Sequence, residues 1–267
     1  MEAVPMAEFP EGAPIWADCV VADLGAGKTF YREMFGWDFM SAGPDYGGYT
    51  MATLDGKPVA ALMPPMPGQE LTPTWTLYFA TSDVQATAGR IRENGGTLLM
   101  EPMSVGEFGR MLIAQSPDGL TFGCWQPGTH EGFGLMGQEG SVCWSEVVTR
   151  DAAAFDTFFS AVFPVEMHAV GDPASFDYKT VRAAGEAVAG RMPMPSGTPA
   201  GSETYARLYF GVDHCDDAAA TAEKLGGQIV SEPQDGPFGR WAECADDNGA
   251  RFTVIDMSTT KGEKPAM

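Results

Sequence analysis

Apolar and polar positions follow one arrangement that recurs four times along the chain. Each copy opens with a short apolar run typical of a β-strand, and these runs cover residues 15–21, 74–80, 142–148 and 205–212. Each run precedes a helix pattern, in which a polar N-cap residue leads to an apolar residue and then to a helix breaker. The four N-cap positions are Asp23, Asp83, Asp151 and His214. Further β-like runs, separated by turns such as Asp55-Gly56, complete each copy.

The four copies also form two larger repeats. The segment Trp16-Ala17-Asp18 recurs as Trp144-Ser145-Glu146, a shift of 128 residues. The segment Phe108-Gly109-Arg110 recurs as Phe238-Gly239-Arg240, a shift of 130. Matches in the same order with little drift indicate a duplicated domain. We therefore predict two domains at residues 12–127 and 141–257, joined by a glycine-rich linker.

Composition and charge restrict the function more than the fold. The chain of 267 residues is 44% hydrophobic and carries a formal net charge of -20. Such an excess of negative charge repels phosphate backbones and anionic lipids, so we expect neither nucleic acid nor a membrane as partner. The five cysteines are scattered without a CxxC pair, and the first residues lack a signal-peptide pattern. These features predict a cytoplasmic protein, monomeric or homodimeric, whose partner is a small molecule.

Four strand–helix–strand copies in two pairs resemble the vicinal oxygen chelate superfamily of glyoxalases, bleomycin-resistance proteins and extradiol dioxygenases. More narrowly, the chain resembles the two-domain bacterial hydroxylase or glyoxalase-like members. The resemblance rests on motifs such as Phe35-Gly36-Trp37 and Ser116-Pro117-Asp118-Gly119. It implies an α+β fold of tandem glyoxalase-like domains. Each domain would pair two βαβββ modules into a cupped mixed sheet with its helices outside.

The resemblance also implies where a divalent metal would be bound, on four positions per domain. These positions fall near Trp16, Ala60, Thr76 and Gly123 in the first domain and near Trp144, Ala189, Arg207 and Thr253 in the second. Indole, methyl and guanidinium groups do not ligate a divalent ion, and threonine hydroxyls are poor ligands. We therefore expect neither a metal site nor another cofactor.

Two acids at equivalent positions are the first candidates for ligand contact. Because side chains alternate along a strand, Asp18 shares a face with Trp16, and Glu146 shares one with Trp144. The favoured interpretation is a buried acid satisfied by a nearby arginine or backbone amide, and the alternative is an acid that binds ligand or acts as a base. Arg110 and Arg240 are the suggested counter-ions, or else clamps for an anionic ligand at the rim.

Aromatic residues suggest a flat ligand, although aromatic side chains more often belong to the core. Trp125 lies two residues after Gly123 on the same predicted strand, so both would face the same pocket. The predicted ligand-binding residues are Trp16, Asp18, Thr76, Phe108, Arg110, Trp125, Trp144, Glu146, Arg207, Phe238 and Arg240.

Three functions remain open on the sequence. The leading hypothesis is a protein that binds a small, flat organic molecule without a metal, for sequestration or for metal-free chemistry. The second is a metal-dependent lyase, isomerase or oxygenase of the glyoxalase type. The third is a scaffold with closed pockets. The sequence does not decide whether the protein is an enzyme.

Overall fold

The computed structural model describes residues 9–65, 72–171 and 177–260. In the first half, two helices and eight strands follow the predicted order. The helices are α1 (Leu24–Phe35) and α2 (Val84–Glu93). The strands are β1 (Pro14–Val20), β2 (Asp38–Ser41), β3 (Thr50–Leu54), β4 (Lys57–Met63), β5 (Trp75–Ala80), β6 (Thr97–Val105), β7 (Gly109–Gln115) and β8 (Thr121–Pro127).

The second half repeats this order of elements. Its helices are α3 (Ala152–Val162) and α4 (Cys215–Lys224). Its strands are β9 (Val142–Thr149), β10 (Val165–Ala169), β11 (Lys179–Ala183), β12 (Glu186–Pro193), β13 (Tyr205–Gly211), β14 (Gln228–Gly236), β15 (Gly239–Ala245) and β16 (Arg251–Asp256). Short 3-10 helices lie at Pro44–Tyr46 and Met257–Thr259.

Each half contributes one eight-stranded mixed sheet. The strand order is β2-β3-β4-β1-β5-β8-β7-β6 in the first sheet and β10-β11-β12-β9-β13-β16-β15-β14 in the second. Strand β1 runs parallel to β4, β5 runs parallel to β8, and β13 runs parallel to β16. The hairpins between them are antiparallel. The predicted α+β class and its repeated βαβββ modules are confirmed.

The predicted N-caps form at three of the four helices. The carboxylates of Asp23, Asp83 and Asp151 accept hydrogen bonds from backbone N–H groups in the first turns of α1, α2 and α3. His214 precedes α4 without a side-chain cap, and α4 instead has two aspartates in its first turn. The negative charges of these two aspartates are stabilised by the positive, N-terminal end of the helix dipole. His214 therefore lies at the predicted start of α4, but its side chain does not cap the helix.

By compactness the chain divides into two units, each drawn from both halves. The first takes its described residues from the ranges 1–16, 77–134 and 147–205, and the second from 17–76, 135–146 and 206–267. Within the first unit α2 packs on α3, and within the second α1 packs on α4. The predicted domain boundaries at 12–127 and 141–257 stay a prediction.

Each unit has an aromatic core between its helices and strands. In the first unit the rings of Phe79 on β5 and Phe159 on α3 lie 4.7 Å apart. In the second the rings of Phe35 on α1 and Phe210 on β13 lie 4.8 Å apart. Since strand side chains alternate, the neighbours Tyr78 and Tyr209 point to the opposite face of their strands. The candidate site is built on that face.

Candidate functional site

Four buried polar side chains meet on the second sheet. Glu146 on β9 accepts a hydrogen bond from the hydroxyl of Tyr209 on β13, at 2.7 Å. The guanidinium of Arg207 lies 3.9 Å from the Glu146 carboxylate and 3.6 Å from that of Glu243 on β15. We call Glu146, Arg207, Tyr209 and Glu243 the Arg207 cluster. All four are buried and belong to the second unit.

Strand periodicity brings this cluster together. Arg207 and Tyr209 are two residues apart on β13, so both point away from the face that buries Leu208 and Phe210. Trp241 precedes Glu243 by two residues on β15, and its ring lies 5.9 Å from the Arg207 guanidinium. This distance is within the range of a cation–π contact. The face thus combines one indole ring with a buried cation and two carboxylates.

The protonation of Tyr209 follows from its surroundings. Burial, followed by the negative charge of Glu146, raises the pKa of Tyr209 well above its usual value. The phenol therefore stays protonated and donates a hydrogen bond to the Glu146 carboxylate. Glu146 therefore has two partners among the described residues, the Tyr209 hydroxyl and the Arg207 guanidinium.

Two further buried polar side chains lie on the neighbouring strands β15 and β16. Glu243 and Thr253 are directly opposite each other in the antiparallel register. Within the described part of the chain, neither Oε1 of Glu243 nor Oγ1 of Thr253 has a hydrogen-bond partner, although both atoms are buried. The nearest cation to Oε1 is the guanidinium of Arg251, at 3.6 Å. Buried polar groups normally find partners, so this pair calls for an explanation.

The equivalent face of the first half is filled by aromatic packing. Trp16 is 2% exposed, and its ring lies 4.4 Å from that of His130 in the linker after β8. The ring of Trp125 lies 5.5 Å from the same imidazole, and its indole N–H donates to the His130 carbonyl. Burial lowers the pKa of His130 to about 4, so the imidazole is neutral at pH 7. The linker thus covers both indole rings that the sequence assigned to a flat ligand.

Tyr78 occupies the space that a side chain at position 123 would need. Tyr78 on β5 and Gly123 on β8 are register partners. A Cβ built on Gly123 would lie 2.0 Å from the tyrosine ring. In the second half the corresponding partners are Tyr209 and Thr253, where a side chain is accommodated. The two halves have therefore diverged at this position.

The suggested pairing of Arg240 with Glu146 is wrong. Arg240 instead binds the carboxylates of Asp216 and Asp235. The suggested pairing of Arg110 with Asp18 stays a prediction. Asp18 accepts a hydrogen bond from the hydroxyl of Tyr49 at 3.4 Å. Asp216 comes from helix α4 and Asp235 from the neighbouring strand β14, and the sequence pattern alone did not specify either contact.

The remaining predicted residues are placed by their strands and turns. Thr76 on β5 and Trp144 on β9 are half-buried. Phe108 and Phe238 lie in the turns immediately before β7 and β15. On β4, the residue that shares a face of the sheet with Asp18 is Ala61 rather than Ala60, since Ala61 pairs with Asp18 in the register of β1 and β4.

Sequence reasoning missed Tyr209 and Glu243. A signal for Glu243 was present: the shift of 130 residues that aligns Arg240 with Arg110 aligns Glu243 with Ile113. An acid in one copy of an apolar strand position is a departure from the repeat. Glu243 lies two residues after Trp241 on the same strand, so alternation would have placed both side chains on the same face of the sheet.

Comparison with known proteins identifies the family. A family model described as Glyoxalase/Bleomycin resistance protein/Dioxygenase superfamily matches residues 15–123. A Mycobacterium tuberculosis protein named "Putative glyoxylase CFP32" is 35% identical over 255 residues, which cover 93% of this chain and 96% of that protein. The "Anthracycline biosynthesis protein DauV" of a Streptomyces species is 35% identical over 271 residues, covering 94% of this chain and 96% of that protein. The chain belongs to the glyoxalase/bleomycin resistance protein/dioxygenase superfamily.

A solved structure supports the fold. The Mn(II)-bound glyoxalase from Novosphingobium aromaticivorans superposes with a TM-score of 0.60 at 17% identity, covering 95% of this chain and 87% of that one. At this identity the similarity concerns the fold alone. In the described residues, no helix combines the length and apolar character needed to cross a bilayer.

The residue types at the positions that the resemblance assigns to a metal do not suit a divalent ion. The first half offers Trp16, Thr76 and Gly123, and Tyr78 blocks the last of these. The second half offers Trp144, Arg207 and Thr253. Among the residues that the structure describes, no three His, Cys, Asp or Glu side chains are grouped to hold an ion. A guanidinium at one of these positions would itself repel a cation.

Proposed function

We propose that this protein binds a small, flat organic molecule on the second sheet, beside the Arg207 cluster and without a divalent metal. The observation that carries the proposal is the composition of this face. Arg207 occupies a position that the resemblance assigns to a metal ligand, and two buried carboxylates balance it. Ligand sites commonly combine apolar walls with a few convergent polar groups.

The shape of the ligand follows from the aromatic side chains. Trp241 and Trp144 are half-buried, so parts of both indoles remain available for contact. Indole faces favour stacked aromatic partners. Two relatives named anthracycline biosynthesis proteins suggest the same chemistry, because anthracyclines contain fused planar rings. We therefore propose a planar, ring-containing natural product or metabolite as the ligand.

The first half is the weaker candidate for binding. Its linker covers Trp16 and Trp125, and Tyr78 covers Gly123. The roles predicted for these residues, and for Asp18, Thr76, Phe108, Arg110, Phe238 and Arg240, stay predictions. So do the cytoplasmic location and the monomeric or homodimeric state.

Ligand binding is tested by titrating the protein with planar bicyclic and tricyclic aromatics, from naphthols to hydroxyanthraquinones. We expect at least one to raise Tm, because a ligand that binds only the folded state stabilises it by mass action. Trp241→Leu should weaken that binding by about tenfold or more, since it removes the aromatic platform. The control is Met111→Leu at the equivalent position of the first half, which should leave affinity unchanged. If no compound binds, or if both variants bind like the wild type, the proposal is wrong, and a scaffold with closed pockets is favoured.

Metal binding is tested separately. After treatment with a chelator, addition of Mn²⁺, Ni²⁺ or Zn²⁺ should change Tm by less than about 1 °C, since an ion that does not bind gives no stabilisation. Elemental analysis of protein purified without chelators should show far less than one ion per chain. A stoichiometric ion together with a raised Tm would instead support the metal-dependent alternative.

A further inference from the structure

We propose that Glu243 and Thr253 together bind a hydroxyl group of the ligand. This inference rests on the proposed function and adds the chemical group by which the ligand is recognised. The hydroxyl would donate a hydrogen bond to Oε1 of Glu243 and accept one from Oγ1 of Thr253.

The burial of the two side chains makes their lack of partners informative. Thr253 is 0% exposed and Glu243 is 7% exposed. Their Oγ1 and Oε1 atoms have no hydrogen-bond partner within the described residues. A protein normally satisfies such groups with its own atoms, with water or with a ligand. Two unsatisfied atoms on neighbouring strands therefore indicate one shared partner.

The register of β15 and β16 makes a shared partner geometrically reasonable. Glu243 and Thr253 are directly opposed, so their side chains leave the sheet on the same face. Opposed residues in an antiparallel pair have Cβ atoms about 4.5–5.5 Å apart. One oxygen atom placed above the pair can reach both side chains. A hydroxyl has one donor and two acceptor lone pairs, which matches a carboxylate beside a threonine.

The charges around the pair favour a neutral group. Arg207 and Arg251 each lie 3.6 Å from the Glu243 carboxylate, so its charge is already balanced. An anionic ligand group would meet two carboxylates, Glu146 and Glu243. A ligand ammonium would compete with the guanidinium groups already present. A hydroxyl needs no compensating charge.

The first half supplies a natural contrast. Its equivalent register pair is Ile113 and Gly123. Neither side chain can form a hydrogen bond, so this form of recognition belongs to the second half alone. Each half would then impose a different requirement on a bound molecule.

The proposal is tested with two fluorescent probes of similar shape, 2-naphthol and 2-methoxynaphthalene. The methoxy compound retains an oxygen acceptor but has no proton to donate. We expect the wild type to bind 2-naphthol at least about tenfold more tightly, because the ether leaves the buried carboxylate without a partner. Thr253→Val and Glu243→Gln should each reduce this preference, while Thr253→Ser should retain it. Ile113→Val is the matched control and should also retain it.

The outcomes separate the inference from the proposed function. If both probes bind the wild type equally, or if neither Thr253→Val nor Glu243→Gln alters the preference, then a buried water satisfies the pair and the inference is wrong. If neither probe nor any other planar aromatic binds, the proposed function fails, and the inference fails with it. Tm and circular dichroism of each unliganded variant show whether the variant is folded. If Thr253→Val does not fold, the comparison is made with Thr253→Ser and Glu243→Gln.

Discussion

Replacing Arg207 with leucine is expected to lower the free energy of unfolding by about 3–5 kcal/mol, because Glu146 and Glu243 lose the cation between them. The guanidinium lies 3.9 Å and 3.6 Å from the two carboxylates, and its side chain is 5% exposed. Solvent therefore cannot replace the lost charge. Urea denaturation at pH 7 measures the change.

Two comparisons make this result interpretable. Arg240→Leu removes two more exposed ion pairs, with Asp216 and Asp235, from strand β15, and solvent screening should make its effect much smaller. Adding Glu146→Gln and Glu243→Gln to Arg207→Leu should recover part of the lost stability, because a neutral group needs no counter-ion. A loss for Arg207→Leu no larger than that for Arg240→Leu would show that the cluster is not held by charge.

The second large effect is expected for Gly123→Ala. The new Cβ would lie 2.0 Å from the Tyr78 ring, which is closer than any contact between carbon atoms. Overpacking of this kind costs about 1–3 kcal/mol or more, because the ring or the strand must move. Thermal or urea unfolding of the single variant measures the loss. The same collision would exclude a carboxylate at this position of the first sheet.

The control for Gly123→Ala is Gly89→Ala in helix α2, where no atom lies within 4 Å of the added methyl. This change should be neutral or stabilising by up to about 1 kcal/mol, since alanine favours a helix. A second variant, Tyr78→Leu with Gly123→Ala, should lose less stability than the sum of the two single changes. If the stability losses of the two single changes simply add, the Tyr78 ring is not what collides with the new methyl group.

The sequence was a good guide to the elements of this fold. The first strand was expected at 15–21 and lies at Pro14–Val20, and the aspartates expected as caps bind the first turns of their helices. These features depend on the period of apolar residues and on hydrogen bonds within a few residues. Such signals are complete within a short segment of chain.

Parts of the candidate site were also predictable. Alternation along β9 set Glu146 apart as an acid on an apolar strand, and the family resemblance drew attention to Arg207. The sequence did not supply their partners. Glu243 meets Arg207 only because β16 lies between β13 and β15 in the sheet. Ala61 rather than Ala60 shares the face of Asp18 because of the register between β1 and β4, which no local pattern specifies.

The sequence by itself determined the duplication and the α+β class. Only the tertiary structure decided that His130 covers Trp16, that Tyr78 excludes a side chain at Gly123, and that Glu243 and Thr253 face each other. The physical reason is that these contacts depend on the register of strands and on the path of a linker. A slip of one residue turns a strand's side chains to the other face, and no local pattern encodes such a choice.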